Sequence, residues 1–343
     1  MNMKFLTWLS SGRLSLLGAS ANLIMACIGV GILALPKVLQ QAGWIGGYII
    51  LFIASLSSLW MAMHLADACT AKTSSDGVVP TYQQLGEITF GAAPKAPTVP
   101  SVGPLSVKLI SYLSIIGILS VFVSLILIII ACTAELLSNE DATEYSLLRL
   151  TQLGSALGTL MTSFGLTGLI PTVMNNMVDP GKIDLSISLA FLVVTLIYVC
   201  ITAVGYAAFG ASIAEYGDIV SAISNGSDEL TDLSYSIIIF ILLLCASHFL
   251  VLFCPVAADC ESLLPSSAHR LWAYLVRALL ISVCTVIAAV VPGVVDLIAL
   301  LGSICGIPNS GIEMINKYGN RAQRIPREFS VNVKVILCEI QFF

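Results

Sequence analysis

Ile28-Gly29-Val30-Gly31-Ile32-Leu33-Ala34-Leu35-Pro36 is an apolar run punctuated by two glycines and closed by a proline. It lies in the middle of a longer apolar stretch, residues 17–38, that is long enough to cross a bilayer. Glycine and proline are poor residues for an uninterrupted helix, since one lacks restraint and the other lacks an N–H. The spacing predicts a membrane helix that unwinds near its midpoint. A second run has the same character: Phe164-Gly165-Leu166-Thr167-Gly168-Leu169-Ile170-Pro171, inside the apolar stretch 152–174.

The surrounding composition supports a membrane setting. Residues of the AVILMFWYC set make up 57% of the 343 residues and charged residues 10%, against roughly half and a quarter in an ordinary soluble domain. In hydrocarbon every backbone N–H and C=O must be paired within the protein, so apolar stretches of about 20 residues are read as helices. Further spans are predicted at 45–66, 107–137, 185–208, 233–256 and 271–291, with a shorter segment at 294–307. This gives an all-α transmembrane protein of about 7–8 spans. The first stretch is too long for a signal-peptide core and is read as retained.

Basic residues collect on the cytoplasmic side of membrane proteins, whereas acidic residues have little influence. An N-terminus inside places Lys72, Lys95, Lys108, Lys182, Arg270 and Arg277 at cytoplasmic ends, with Lys317, Arg321, Arg324, Arg327 and Lys334 in a cytoplasmic tail. Only Lys37 and Arg149 then face the other side, where the loops carry Glu140, Asp141, Glu144, Glu215, Asp218, Asp228, Glu229 and Asp232. The sequon Asn225-Gly226-Ser227 falls on that side too. The expected organisation is a cytoplasmic segment 1–16, a membrane domain 17–307 with a cytoplasmic loop 68–104, and a basic cytoplasmic tail 308–343. Glu135 and Asp296 fall near opposite-face ends of spans, and His64 and Asp67 at a cytoplasmic end, where solvation accounts for them.

The net charge of −5 and the lack of a basic run with aromatics give no sign of a nucleic-acid partner. Ten cysteines are scattered without a C-x-x-C pair or a histidine at ligand spacing, so no metal or cofactor is expected. No catalytic triad, carboxylate pair or phosphate loop emerges, so no enzyme is expected either.

Unwound backbone at membrane depth is tolerated only against protein or a polar cavity. Half-helix N-termini there favour an anionic group and freed carbonyls a cation, and a pair of interrupted segments in two halves of a chain points to a transporter site. Close helix packing through small residues is the alternative use of the same glycines.

The order of the motifs points to a family. Asn22 through Pro36 followed by Gly43-Trp44, then Tyr82-Gln83-Gln84-Leu85-Gly86 with Phe90-Gly91, then Phe164 to Pro171 with Met177, Asp179-Pro180 and Lys182, then Gly205-Tyr206 with Phe209-Gly210, then Phe253-Cys254-Pro255 with Glu261, and Val291-Pro292 with Leu301-Gly302 together resemble the amino acid/auxin permease family, within the amino acid-polyamine-organocation superfamily. The resemblance implies a leucine-transporter-like bundle of two inverted five-helix repeats and secondary active transport of amino acids coupled to protons or sodium. It implies substrate binding by the backbone at Gly29, Val30, Gly31, Gly165, Thr167 and Gly168. Asn22 and Ser247 match positions at a coupling-ion site in some relatives, interhelical hydrogen bonding being their other reading. His248, an intramembrane histidine the family pattern does not place, is a candidate proton relay or a neutral hydrogen-bonded residue.

Only Leu137 to Thr151 separates the third span from the segment resembling helix six. Helices four and five of the family are therefore expected to be absent, and the tail does not resemble its last helices. The bundle is thus expected to be incomplete. The alternative function is a non-transporting amino acid sensor or regulatory membrane subunit, associating with a full-length relative. Plasma membrane and vacuolar or lysosomal membrane are equally compatible with the sequence.

Overall fold

A computed structural model describes residues 14–29, 31–71, 73, 79–80, 104–138, 145–226, 231–262 and 270–290. Val30, most of the 68–104 loop, the 294–307 segment and the 308–343 tail lie outside the described residues, as do Asp296 and the Tyr82 and Val291 motifs. The helices are α1 (Leu16–Cys27), α2 (Gly31–Ala71), α3 (Pro104–Ser138), α4 (Leu153–Ser163), α5 (Ile170–Asn176), α6 (Ile183–Phe209), α7 (Ile213–Tyr216), α8 (Ile219–Gly226), α9 (Thr231–Ser262) and α10 (Arg270–Val290). Among the described residues there is no strand, only an isolated bridge between Leu14 and Met177.

Among the described residues six helical stretches are long and apolar enough to span a membrane. They amount to seven crossings, because Gly43, at φ +79°, divides Gly31–Ala71 in two. The first half completes the crossing that α1 begins, and the second half is a crossing by itself. The chain is an all-α transmembrane bundle, and the expected spans up to residue 291 correspond to these crossings in order. Residues 139–152, between α3 and α4, are too few to hold another membrane span.

With lipid outside, small and polar residues mark the inward faces of the helices and large apolar ones the outward faces. Along α3 the buried positions are Gly117, Ser120, Val121, Ser124, Ile128, Ala131, Cys132 and Glu135, three or four apart, while Leu119, Phe122, Ile126 and Ile130 face outward. Glu135 falls on this inward stripe and is 8% exposed, a correction to its expected solvation. Similarly, α6 buries Ser186, Ala190, Val194, Tyr198, Thr202 and Gly205 and turns Leu185, Leu192 and Leu196 outward. In the bundle α3 runs along α9, α2 packs on α4 and α6, and α1 lies against α6 and α3.

Each end of the bundle is tied by irregular backbone. At one end Leu14 N–H donates to Asn176 O at 2.6 Å and Val178 N–H to Leu14 O at 2.9 Å. The Asn175 amide there exchanges two hydrogen bonds of 2.9 Å with the Val79 backbone. At the other end Trp44 and Ile45 N–H donate to Ser146 and Leu147 carbonyls at 3.0 Å, and Arg149 N–H to Ala42 O at 2.9 Å. Trp44, Tyr145 and Tyr206 cluster over this corner, with Trp44 and Tyr206 centroids 5.2 Å apart.

Candidate functional site

The first break begins where Ile28 adopts an extended conformation, φ −85° and ψ 92°, and ends α1 at Cys27. Gly29 N–H turns back to Cys27 O at 3.1 Å instead of reaching Met25 O, four residues earlier. Met25 O therefore needs a donor from elsewhere, and Cys27 O, already bonded by Gly29, has a second lone pair to fill. Met25 O takes Nδ1 of His248, from α9, at 2.6 Å. Cys27 O takes the phenol of Tyr198, from α6, at 2.8 Å.

A carbonyl only accepts, so Nδ1 carries the hydrogen in the first of these bonds. In the neutral imidazole Nε2 is then the acceptor. A Cβ on Gly29 would stand 2.5 Å from that Nε2 and 2.7 Å from two ring carbons, so the imidazole lies directly against the glycine. Only a residue without a side chain admits the ring there.

The second break follows α4. Gly165 N–H donates to Thr162 O and Leu166 N–H to Phe164 O, both at 3.0 Å, before a 3-10 turn at Thr167–Leu169 leads into α5. Pro171 occupies the first turn of α5, where no amide hydrogen is required of it. Ser163 O lies 2.8 Å from the same Tyr198 phenol, whose single hydrogen is shared between the two carbonyls. The Phe164 ring packs on Tyr198 and Phe191, with centroids 5.0 and 6.0 Å away.

The breaks touch. A Cβ on Gly31 would lie 2.7 Å from Ser163 Oγ, and the 167–169 turn packs against α2. Of the backbone predicted to hold substrate, Gly29 and Gly31 are in the first break and Gly165, Thr167 and Gly168 in the second, whereas Val30 is outside the described residues. Both stretches unwind as their glycines predict.

Asn22 is buried in α1 at 8% exposure, one turn before Met25. Ser247 is buried on α9, but its hydroxyl donates to Leu243 O of its own helix at 2.9 Å instead of bridging helices. A Cβ on Gly117 of α3 would collide with Met25 Cε and lie 2.9 Å from Ser247 Cβ, so α1, α3 and α9 converge there. Ser124 of α3 is the one buried side-chain polar atom without a partner among the described residues. Also among the described residues, no cluster of three His, Cys, Asp or Glu could hold a metal ion.

Tyr198 and Ser163 were not singled out from the sequence. Tyr198 stands in an Ile/Val/Leu-rich span, where a tyrosine reads as ordinary core. Its position on the stripe of Val194, Thr202 and Gly205 was the available signal.

An all-α membrane bundle with two adjoining interrupted helices defines a class, the secondary transporters built on discontinuous spans. A model of the family described as transmembrane amino acid transporter protein matches residues 12–99 and 98–312, and the chain belongs to that family. The class of activity is thus transmembrane amino acid transport, with an amino acid and the bilayer as partners. No curated protein matches the chain.

Proposed function

We propose that this chain is an ion-coupled amino acid transporter whose substrate binds where the two breaks meet. The contact of Gly31 with Ser163 carries the reading, because it brings the two interrupted helices to one place. The start of α2 at Gly31 offers a positive dipole end to a carboxylate. The backbone of Gly165, Thr167 and Gly168 completes the site around the substrate's amine and carboxylate. Transport proceeds by alternating access, the broken helices moving against α3 and α9.

Coupling is assigned to Asn22, Ser247 and His248. Since His248 already donates through Nδ1 to Met25 O, its Nε2 is a proton acceptor beside the first break. That favours protons over sodium as the coupling ion. The charge distribution puts the N-terminus and the Leu14 end of the bundle in the cytoplasm.

The test is uptake into proteoliposomes with proton and sodium gradients imposed separately. Wild-type uptake should follow the proton gradient, and His248→Gln should uncouple it while retaining a donor for Met25 O. Asn22→Ala should weaken ion dependence; unchanged ion dependence removes Asn22 from the site.

A second reading, a sensor or regulatory subunit paired with a full-length relative, is favoured by the shortness of residues 139–152, which leave no room for a further span. Ligand-dependent stabilisation without flux would support it.

A further inference from the structure

We propose that Tyr198 is the positioning residue that fastens the two broken helices to each other. Its phenolic oxygen lies 2.8 Å from Cys27 O and 2.8 Å from Ser163 O. Those are the last residues of α1 and α4, so two half-helix C-terminal ends point at one oxygen. Both ends carry partial negative charge. Brought together in a water-free interior they repel unless a donor stands between them.

Tyr198 supplies that donor. A core tyrosine needs one acceptor for its hydroxyl. Here one proton faces two carbonyls, and each belongs to a helix end that has lost its next turn. The side chain is wholly buried, held by the Phe164 ring, and its own carbonyl accepts from Thr202. Because the phenol is rooted in α6, the two breaks and α6 form one piece. Separating the breaks leaves at least one helix end without its donor. Tyr198 thereby sets the geometry of the site formed by Gly29, Gly31 and Gly165 without facing the substrate itself.

This role rests on the transport reading only for its effect on uptake; the fastening itself is measured without substrate. Hydrogen exchange of the full chain in lipid nanodiscs compares wild type, Tyr198→Phe and Ser188→Ala. Phenylalanine keeps the ring and removes the donor, so amides of residues 28–32 and 165–169 should exchange about tenfold faster, the equivalent of about 1.4 kcal/mol. Ser188→Ala, which removes an exposed hydrogen bond of the same helix, to Asp184 O, should leave both segments unchanged. Unaltered exchange in Tyr198→Phe, or acceleration at one break alone, would overturn the proposal.

In proteoliposomes Tyr198→Phe should raise KM about tenfold with Vmax per folded molecule nearly unchanged. A lower folded yield with an unchanged KM would reduce Tyr198 to a structural residue. Absence of wild-type uptake would overturn the transport reading, and exchange would still decide the fastening.

Discussion

The break after Cys27 and the corner at Gly43 lie within and at the end of the first crossing, and they are closed by opposite means. At Gly43 the chain turns with φ +79°, and the amides and carbonyls on either side pair with the backbone of Ser146, Leu147 and Arg149. A Cβ there would fall 2.6 Å from the Leu147 carbonyl carbon, so backbone is locked on backbone. At the first break the carbonyls of Met25 and Cys27 are met by two side chains from distant helices, His248 and Tyr198. A corner closed by backbone is permanent, whereas one closed by side-chain tips can be released. Only the second kind suits a segment that must rearrange in a transport cycle.

Substitutions at glycines separate the two kinds of closure. The largest loss of stability is expected for Gly43→Ala, where a positive φ and a backbone clash combine for about 2–5 kcal/mol. Thermal unfolding in detergent reads it, and uptake per folded molecule should persist. Next is Gly205→Ala, whose Cβ would lie 2.5 Å from Pro36 Cγ and 2.8 Å from Ile219 Cδ1, an overpacking cost of about 1–3 kcal/mol.

Gly29→Ala should be milder in the same melting assay, about 1 kcal/mol, since the imidazole it meets can swing aside. Its effect on function should be the reverse, because displacing His248 empties the Met25 carbonyl: uptake falls more than tenfold. A Gly29→Ala protein that transports normally would erase the contrast with Gly43. The smallest change belongs to Gly154→Ala in α4, which has nothing within 4 Å of the new methyl and should shift stability by less than about 1 kcal/mol.

The crossings and both breaks were legible in the sequence because apolar length and glycine placement are local properties. Gly29, Gly31, Gly165 and Gly168 mark the unwound segments without any knowledge of what surrounds them. What surrounds them was not legible. The bonds from Tyr198 reach back 171 and 35 residues and that from His248 reaches 223, and no local pattern encodes such distances. His248 attracted notice because an ionisable group in a membrane is conspicuous, whereas Tyr198 has the look of one more aromatic core residue. Glu135 was misread for a related cause: nearness to the end of a span suggested water, but its position on the inward stripe of α3 buries it.

The most direct test of the central claim, that the joined breaks form a transport site, is uptake of labelled amino acids by the purified wild-type chain in proteoliposomes under an imposed proton gradient. The expected result is accumulation above equilibrium that Gly29→Ala abolishes and Gly43→Ala, per folded molecule, does not. Amino acid binding with no flux under any gradient would contradict it.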